Sequence, residues 1–204
     1  MKLICIGRNY AKHIAELENE RPEHPVVFLK PDSSILLSKH PFVIPPFSND
    51  VHHEVEILVK IKKIGKYIDQ KYASTYYDEI GLGIDFTARD LQAQLKEKGL
   101  PWEKAKGFDG AAVISSKWLP VSDFDTVDDI SFRLENNDVT VQEGSTSEML
   151  WKIDALISYV SQYFTLKIGD VIFTGTPAGV ARVQENDKLK GYIGETEMFS
   201  INVK

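Results

Sequence analysis

The stretch HHEVEILVKI, residues 52–61, carries the strongest structural signal in the sequence. Its β-branched and aliphatic residues favour an extended strand, in which side chains at positions i and i+2 lie on the same face. Glu54 and Glu56 are therefore expected to project together from one face, while Val55 projects from the other. Two carboxylates held this close repel each other unless a cation lies between them or water screens them. The stretch alone fits either a metal site or a solvated strand face.

Other segments share this strand-forming composition, rich in β-branched and aliphatic residues. Together with the first, the predicted strands are residues 2–6, 26–29, 54–61, 79–86, 130–134, 138–142, 170–174 and 196–203. Many strands that pair with distant parts of the chain, with few helices, predict a mainly β fold with peripheral helices, of the α+β class. The length fits a single domain spanning residues 1–204.

Four helices are predicted among the strands. The first two cover residues 10–17 and 69–77. The third is expected to begin at the N-cap Thr87, with Asp90 as its capping-box partner, and to end before the glycine at position 99. The fourth is expected to begin at the N-cap Ser145, and its apolar residues recur at helical spacing, which indicates a face packed on the core.

Composition excludes several functional classes. The net charge of −6, with no basic stripe interleaved with aromatic residues, argues against a nucleic-acid partner. No apolar stretch approaches the ~20 residues that a membrane-spanning helix needs, so no membrane partner is expected. Arg8 interrupts the N-terminal apolar run too early for a secretory signal, and the single cysteine, Cys5, cannot form an internal disulfide. We therefore expect a cytoplasmic protein.

A third acidic residue, Asp85, lies near the end of another strand-forming run, GLGIDF at residues 81–86. Three oxygen donors without a cysteine suit Mg²⁺, Mn²⁺ or Ca²⁺ better than Zn²⁺. Glu54, Glu56 and Asp85 are thus a candidate ligand set for a divalent cation.

Arg89 and Gln92 lie three residues apart near the start of the third predicted helix, so they share a face. A helix N-terminus favours anions, and Arg89 could bind a substrate carboxylate through two parallel hydrogen bonds. The alternative is an exposed arginine that pairs with Asp90 or with another surface acid.

His13 and Glu16 are also three residues apart, on the first predicted helix. A carboxylate that favours the imidazolium form makes a histidine a general base near neutral pH. Similar pairs occur on helix surfaces, where each contributes only ~0.2–0.5 kcal/mol. The spacing alone fits both interpretations.

Three other polar features stand out less clearly. Lys30 follows a strand, Lys106 precedes a glycine, and the turn TGTPAG at residues 174–179 would let backbone amides approach a ligand closely. The turn is not a P-loop, because the Gly-Lys-Ser/Thr ending is missing.

Taken in order, these residues resemble the fumarylacetoacetate hydrolase family, in its short branch of acylpyruvases and oxaloacetate-acting enzymes. The matching stretches are GRNY (7–10) with His13 and Glu16, FLKP (28–31), HHEVE (52–56), DFTARD (85–90), GLPW (99–102), KGFD (106–109), QEG (142–144) and TGTP (174–177). So many ordered blocks along nearly the whole chain are more specific than any single motif.

The resemblance implies a mixed β-roll core and a divalent cation, usually Mg²⁺ and sometimes Mn²⁺ or Ca²⁺, held by Glu54, Glu56 and Asp85. It also implies a homodimer and a mobile lid that carries His13 and Glu16. Longer relatives have an extra N-terminal domain. Because this sequence begins at the first core strand, we expect no such domain here.

For function, the resemblance implies an enzyme that acts on small-molecule 2-oxo acids through an enolate. His13, Glu16 and Lys106 are the expected catalytic residues, with Lys106 at the oxyanion. The expected substrate-binding residues are Arg8, Lys30, Arg89, Gln92 and Thr176. A base for water favours C–C bond hydrolysis of 3-acylpyruvates to pyruvate and a carboxylate. Oxaloacetate decarboxylation, keto–enol tautomerisation and hydroxymuconate-type isomerisation are alternatives at the same site, and a non-catalytic binder of 2-oxo acids is a further one.

Overall fold

The computed structural model describes residues 1–16, 20–37 and 39–204. In chain order its strands are β1 (Leu3–Gly7), β2 (Val26–Lys30), β3 (Val51–His53), β4 (Val55–Ile61), β5 (Tyr77–Asp85), β6 (Thr87–Ala88), β7 (Ala112–Ile114), β8 (Leu119–Pro120), β9 (Ser131–Asn136), β10 (Val139–Ser145), β11 (Val171–Phe173), β12 (Ala181–Arg182), β13 (Lys188–Ile193) and β14 (Thr196–Asn202). The α-helices are α1 (Ala11–Glu16), α2 (Arg89–Glu97), α3 (Glu103–Lys106) and α4 (Ile153–Tyr163). Short 3₁₀ helices span Asp32–Ser34, Gln70–Tyr76, Val121–Asp123 and Thr146–Glu148.

The strands form three sheets. The largest has seven strands in the order β2-β1-β11-β4-β5-β7, with β8 added beside β5. It is mixed, because β1 and β11 run parallel whereas its other neighbouring strands are antiparallel. A four-stranded sheet has the order β10-β9-β13-β14, and a three-stranded sheet has the order β12-β3-β6. The prediction of a mainly β fold with peripheral helices is confirmed.

The central strand β4 is buried on both faces, and its side chains alternate between two apolar clusters. Ile57 and Val59 pack in the main core, while Leu58 packs on the other face with Leu3 and Phe173. Glu56 lies two residues before Leu58 and so projects from the same side. Glu54 directly precedes β4, and its carboxylate lies in the same cluster as that of Glu56, as the i and i+2 spacing predicted.

Strand pairing brings Asp85 to the glutamates. β4 and β5 are antiparallel with Glu56 opposite Gly83, and the amide of Asp85 donates to the carbonyl of Glu54 at 2.9 Å. A Cβ at Gly83 would lie 2.2 Å from the carbonyl oxygen of Val113. Only glycine therefore permits this close strand approach, which leaves the position opposite Glu56 without a side chain.

All predicted strands are found, with boundary shifts of up to three residues, but the short strands β3, β6, β7, β8 and β12 and the longer β13 were not predicted. Short strands leave too few residues for a pattern to show. The helix over 69–77 is found as a 3₁₀ helix, and the predicted end of the first helix lies outside the described residues.

Two predicted helix starts are wrong. Thr87 belongs to β6, and α2 begins two residues later without a side-chain cap. Asp90 instead accepts hydrogen bonds from the hydroxyl of Ser48 at 2.6 Å and the amide of Asn49 at 2.9 Å, tying the preceding loop to α2. Ser145 does cap a helix, but only the 3₁₀ turn Thr146–Glu148, because α4 begins separately at Ile153.

None of the helices in the described part of the chain is long and apolar enough to cross a membrane.

Candidate active site

Three carboxylates meet at the start of β4 and the end of β5. Glu54, Glu56 and Asp85 are each at most 5% exposed. Each contributes an oxygen atom to a group whose members lie within 4.8 Å of one another. Buried hard oxygen donors at this separation suit one Mg²⁺- or Mn²⁺-like ion. The alternative of a solvated strand face is excluded by their burial.

The electrostatics of the cluster also fit a bound cation. Burial, together with repulsion from Asp85 and Glu54, raises the pKa of Glu56 well above its usual value. Its recorded hydrogen bond comes from a backbone amide, that of Gly175, at 2.7 Å. A charged Glu56 is thus unfavourable without a cation, and a divalent ion between the three carboxylates would relieve the repulsion.

Lys106, at the end of α3, extends into this acid cluster. Its ammonium lies 2.8 Å from Glu54 Oε2, 2.7 Å from Asp85 Oδ2 and 2.6 Å from the hydroxyl of Thr87. Burial alone would lower the pKa of Lys106, but Asp85 and Glu54 raise it above its usual value. Lys106 therefore carries a full positive charge beside two of the three candidate metal ligands.

The contacts of Lys30 differ from those expected of a substrate-binding residue. Its ammonium pairs with Asp85 Oδ1 at 2.6 Å and donates to the carbonyls of Phe86 at 3.2 Å, Ala111 at 2.9 Å and Lys106. The side chain is 2% exposed and is not part of the cavity wall. These contacts use the donors of the ammonium, so Lys30 holds Asp85 and the surrounding backbone in place and has no free N–H for a substrate.

Replacing Lys30 with methionine is expected to destabilise the protein by about 3 kcal/mol, because it leaves Asp85 and three buried carbonyls without their shared donor. Urea denaturation measures the change. Lys104→Met makes the same replacement at an exposed position and should stay within about 0.5 kcal/mol of the wild type. Equal stability of the two variants would contradict the assigned role.

Arg89 and Gln92 lie on the cavity side of α2. Arg89 pairs with Glu54, and its guanidinium donates to Gln92 Oε1 at 2.8 Å. The alternative of a surface ion pair with Asp90 does not apply. Arg89 also contributes to the low pKa of Glu54, which burial alone would raise but which Lys106 and Arg89 bring well below its usual value.

His13 and Glu16 form the expected pair on α1. His13 Nδ1 lies 3.2 Å from Glu16 Oε2, and His13 is 6% exposed in the cavity wall. The other oxygen of Glu16 accepts from the amide of Gly179 at 2.9 Å, which ties α1 to the turn that follows β11. Burial lowers the pKa of His13, opposed by Glu54 and Glu16. The ring is therefore neutral near pH 7, and Nε2 is free to accept a proton when Nδ1 donates to Glu16.

Gln142 on β10 is a structural residue that we did not single out from the sequence. Its Oε1 accepts from the amide of Val55 at 3.1 Å and from His53 Nδ1 at 2.8 Å. Its Nε2 donates to the hydroxyl of Thr176 at 2.9 Å, and that hydroxyl donates to the carbonyl of Val55 at 2.9 Å. Gln142 thus fixes the start of β4 and the Thr176 turn relative to each other. The only earlier signal was its place in the QEG stretch.

The side chains of His52 and His53, which precede Glu54, pair with residues other than the three carboxylates. His53 donates to Gln142, and His52 Nε2 pairs with Asp50 Oδ1 at 2.9 Å. Burial lowers the pKa of both rings. Both histidines lie on β3. Their side chains connect this strand to Asp50 and to Gln142 on β10.

The carboxylate cluster, Lys106, Arg89 and His13 border a small cavity of about 30 Å³. Its wall includes Ile6, Gly7, Arg8, His13, Phe28, Glu54, Glu56, Asp85, Arg89, Gln92, Lys96, Trp102, Lys106 and Thr176. Of the site residues predicted from the sequence, Glu16 and Lys30 lie behind this wall. Lys96 was not predicted, although it falls on the same helical face as Arg89 and Gln92.

A family model described as fumarylacetoacetate (FAA) hydrolase C-terminal matches residues 2–200. The chain belongs to this family. The resemblance seen in the sequence is therefore confirmed, and so is the mixed β-roll that it implied.

Similar proteins agree with this assignment. The chain is 40% identical to oxaloacetate tautomerase YcgM of Escherichia coli strain K12 over 190 residues, covering 92% of this chain and 86% of that protein. It matches the crystal structure of a putative fumarylacetoacetate hydrolase family protein from Yersinia pestis with a TM-score of 0.94 and 37% identity, over 100% of this chain and 93% of that one. It also matches fumarylpyruvate hydrolase from Pseudomonas aeruginosa, in complex with Mn²⁺ and pyruvate, with a TM-score of 0.92 and 32% identity, over 100% and 89% of the two chains.

Proposed function

We propose that this protein is a divalent-metal-dependent enzyme that converts 2-oxo acids through their enolates, with keto–enol tautomerisation of oxaloacetate as its main reaction. The observation that supports it most is that a carboxylate cluster and a candidate general base lie in one cavity. A buried cluster of three carboxylates suited to a divalent ion lies beside a neutral histidine that a glutamate orients. The relative YcgM is named for the tautomerase activity.

In this proposal Glu54, Glu56 and Asp85 would hold the ion, which would supply Lewis-acid stabilisation of negative charge on the 2-oxo oxygen. His13 accepts the proton from C3 of the keto form and returns it to the 2-oxo oxygen, which gives the enol; the reverse transfer gives the keto form. Glu16 holds the imidazole ring in position and stabilises its protonated form.

The cationic side chains around the cluster bind and orient the substrate. Arg89 is held by Gln92 and offers a planar donor surface to a carboxylate. The three donors of the Lys106 ammonium are occupied by Glu54, Asp85 and Thr87, so Lys106 contributes positive charge near a developing oxyanion and not a hydrogen bond to it. Thr176 and Arg8 complete the wall. Because the hydroxyl of Thr176 already donates to Val55, its contribution to substrate binding is mainly one of shape.

Hydrolysis of 3-acylpyruvates, which the sequence favoured, is the second candidate. It needs a base for water, and His13 is suited to that task too because its pKa is lowered by burial. The Pseudomonas relative is named fumarylpyruvate hydrolase. Decarboxylation of oxaloacetate needs no water, so it is a third outcome at the same site. A non-catalytic binder would have no need for the His13–Glu16 pair beside the acid cluster.

An assay with oxaloacetate enol separates these reactions. Protein loaded with Mg²⁺ or Mn²⁺ is expected to accelerate loss of the enol absorbance without forming pyruvate, and chelation with EDTA should abolish the effect. Pyruvate from oxaloacetate would identify a decarboxylase, and pyruvate from acetylpyruvate would identify a hydrolase. Absence of turnover with every 2-oxo acid and both metals would overturn the proposal in favour of a binder.

We also propose Mg²⁺ as the ion used in the cell, a cytoplasmic location and a homodimer. For the dimer, the support beyond family membership is an apolar loop surface at which Leu37, Val43 and Phe47 are each more than half exposed. Light scattering after size-exclusion chromatography tests it, and a monomeric mass at micromolar concentration would contradict it.

A further inference from the structure

The face of α2 that borders the cavity carries one more cation than the proposed chemistry uses. Arg89, Gln92 and Lys96 occupy positions i, i+3 and i+7, so they lie on the same helical face. All three side chains border the cavity. Arg89 pairs with Glu54, and Gln92 accepts a hydrogen bond from Arg89. The ammonium of Lys96, by contrast, has no recorded hydrogen bond or ion pair with any residue in the ranges 1–16, 20–37 and 39–204.

Lys96 is held in a setting that favours an anion. Its side chain is half-buried, and its ammonium lies 5.5 Å from the centre of the Trp102 ring. Burial and the neighbouring charges of Arg8, Arg89 and Lys106 lower the pKa of Lys96 to about 8. The charges of Arg8, Arg89 and Lys106 outweigh the opposing charge of Glu54, so Lys96 faces mainly positive charge from the described residues.

Arg8 borders the same cavity directly after β1. Its backbone has a φ of 64°, in the left-handed region that an arginine seldom adopts. Such strain is retained where the surrounding structure holds a side chain in a functional position. Among the residues that the structure describes, Arg8 also has no recorded acidic partner. Two cations of this kind repel each other, and a bound carboxylate would remove the repulsion.

We propose that Lys96, together with Arg8, binds a second carboxylate of the substrate and makes the site selective for 2-oxo dicarboxylic acids. This inference rests on the proposed function, which assigns the 2-oxo acid end of the substrate to the acid cluster. The 2-oxo end would lie at Glu54, Glu56 and Asp85, and the distal carboxylate at the part of the wall formed by Lys96 and Arg8. An uncharged tail would leave Lys96 and Arg8 facing each other without a counter-ion.

Binding to Mn²⁺-loaded protein, measured by titration calorimetry, tests the inference without requiring turnover. The probes are 2-oxoglutarate and 2-oxopentanoate, which have the same carbon skeleton apart from a methyl group in place of the distal carboxylate. The wild type is expected to bind 2-oxoglutarate about tenfold more tightly or better, because 2-oxopentanoate lacks the carboxylate that forms charge-assisted hydrogen bonds. In Lys96→Met the ratio of the two dissociation constants should fall close to one. Lys96→Arg should retain most of the preference for 2-oxoglutarate.

Lys98→Met is the matched control, because Lys98 lies exposed at the end of the same helix and outside the cavity wall. It should keep the wild-type preference. The inference is overturned if wild-type protein does not prefer the dicarboxylate, or if Lys96→Met weakens both probes equally. Failure of the proposed function would differ, since it would abolish turnover of oxaloacetate and acetylpyruvate in the wild type while the binding preference could persist.

Discussion

Replacement of Glu56 by glutamine is expected to weaken Mn²⁺ binding by more than about 100-fold and to abolish metal-dependent turnover. Loss of a residue that only supports a metal ligand typically reduces affinity by about 10- to 100-fold, so loss of a charged ligand should exceed that range. Titration with Mn²⁺, followed by calorimetry or by electron paramagnetic resonance, measures the affinity.

The same variant is expected to fold normally in the absence of metal. Burial and repulsion from Asp85 and Glu54 already make a charged Glu56 unfavourable, and glutamine has the same shape without the charge. Its Oε1 can still accept the amide hydrogen of Gly175. In EDTA the variant should therefore melt at the wild-type temperature or above it.

Added Mn²⁺ should raise the melting temperature of the wild type but not that of Glu56→Gln, because only an ion that binds the native state stabilises it. Glu143→Gln is a matched control, since Glu143 is exposed and lies outside the cavity wall. A Glu56→Gln protein that kept the full Mn²⁺-dependent rise in melting temperature would remove Glu56 from the ligand set.

Replacement of His13 by alanine should lower turnover by at least about 100-fold while Mn²⁺ affinity stays near the wild-type value. General bases contribute about 10²- to 10⁴-fold, and His13 is the neutral imidazole in the cavity wall. Initial rates with metal-loaded protein measure the effect for the tautomerase, decarboxylase and hydrolase reactions separately. A reaction that tolerates the change does not use His13 as its base.

Lys12→Ala provides the comparison, because Lys12 is adjacent on α1 but its side chain is 80% exposed and pairs with Glu148. Its rates should match those of the wild type. If His13→Ala retained turnover of every substrate, the base would have to be another group, and the assignment of the His13–Glu16 pair would be wrong.

The central part of the fold could be predicted because it depends on local patterns. The i and i+2 spacing predicted that Glu54 and Glu56 share a face, and the strand that ends at Asp85 supplies the third carboxylate of the cluster. His13 with Glu16, and Arg89 with Gln92, were found by helical spacing alone. In each case the surface alternative was eliminated only by burial, which strand pairing determines and sequence spacing does not.

What could not be predicted depends on contacts between distant segments. Lys30 looked like a substrate-binding residue, yet its ammonium is occupied by Asp85 and by carbonyls from two later loops. Thr87 looked like a helix cap, but pairing with β3 draws it into a strand. Lys96 was overlooked because a lysine on an amphipathic helix usually faces solvent, and only the tertiary structure shows it at a cavity. The predictions of a single domain, a lid and a dimer remain predictions.

The position of Lys106 has a consequence for how the protein matures. Together with Lys30 and Arg89, it forms ion pairs with Glu54 and Asp85, so the chain supplies counter-ions for two of the three carboxylates. Zinc fingers, by contrast, remain unfolded until their metal arrives. Here the ion pairs of Lys106 with Glu54 and Asp85 let the polypeptide reach its native shape without a bound ion. Under the proposed metal dependence, cells short of magnesium or manganese would accumulate folded but inactive protein that becomes active when the ion is supplied.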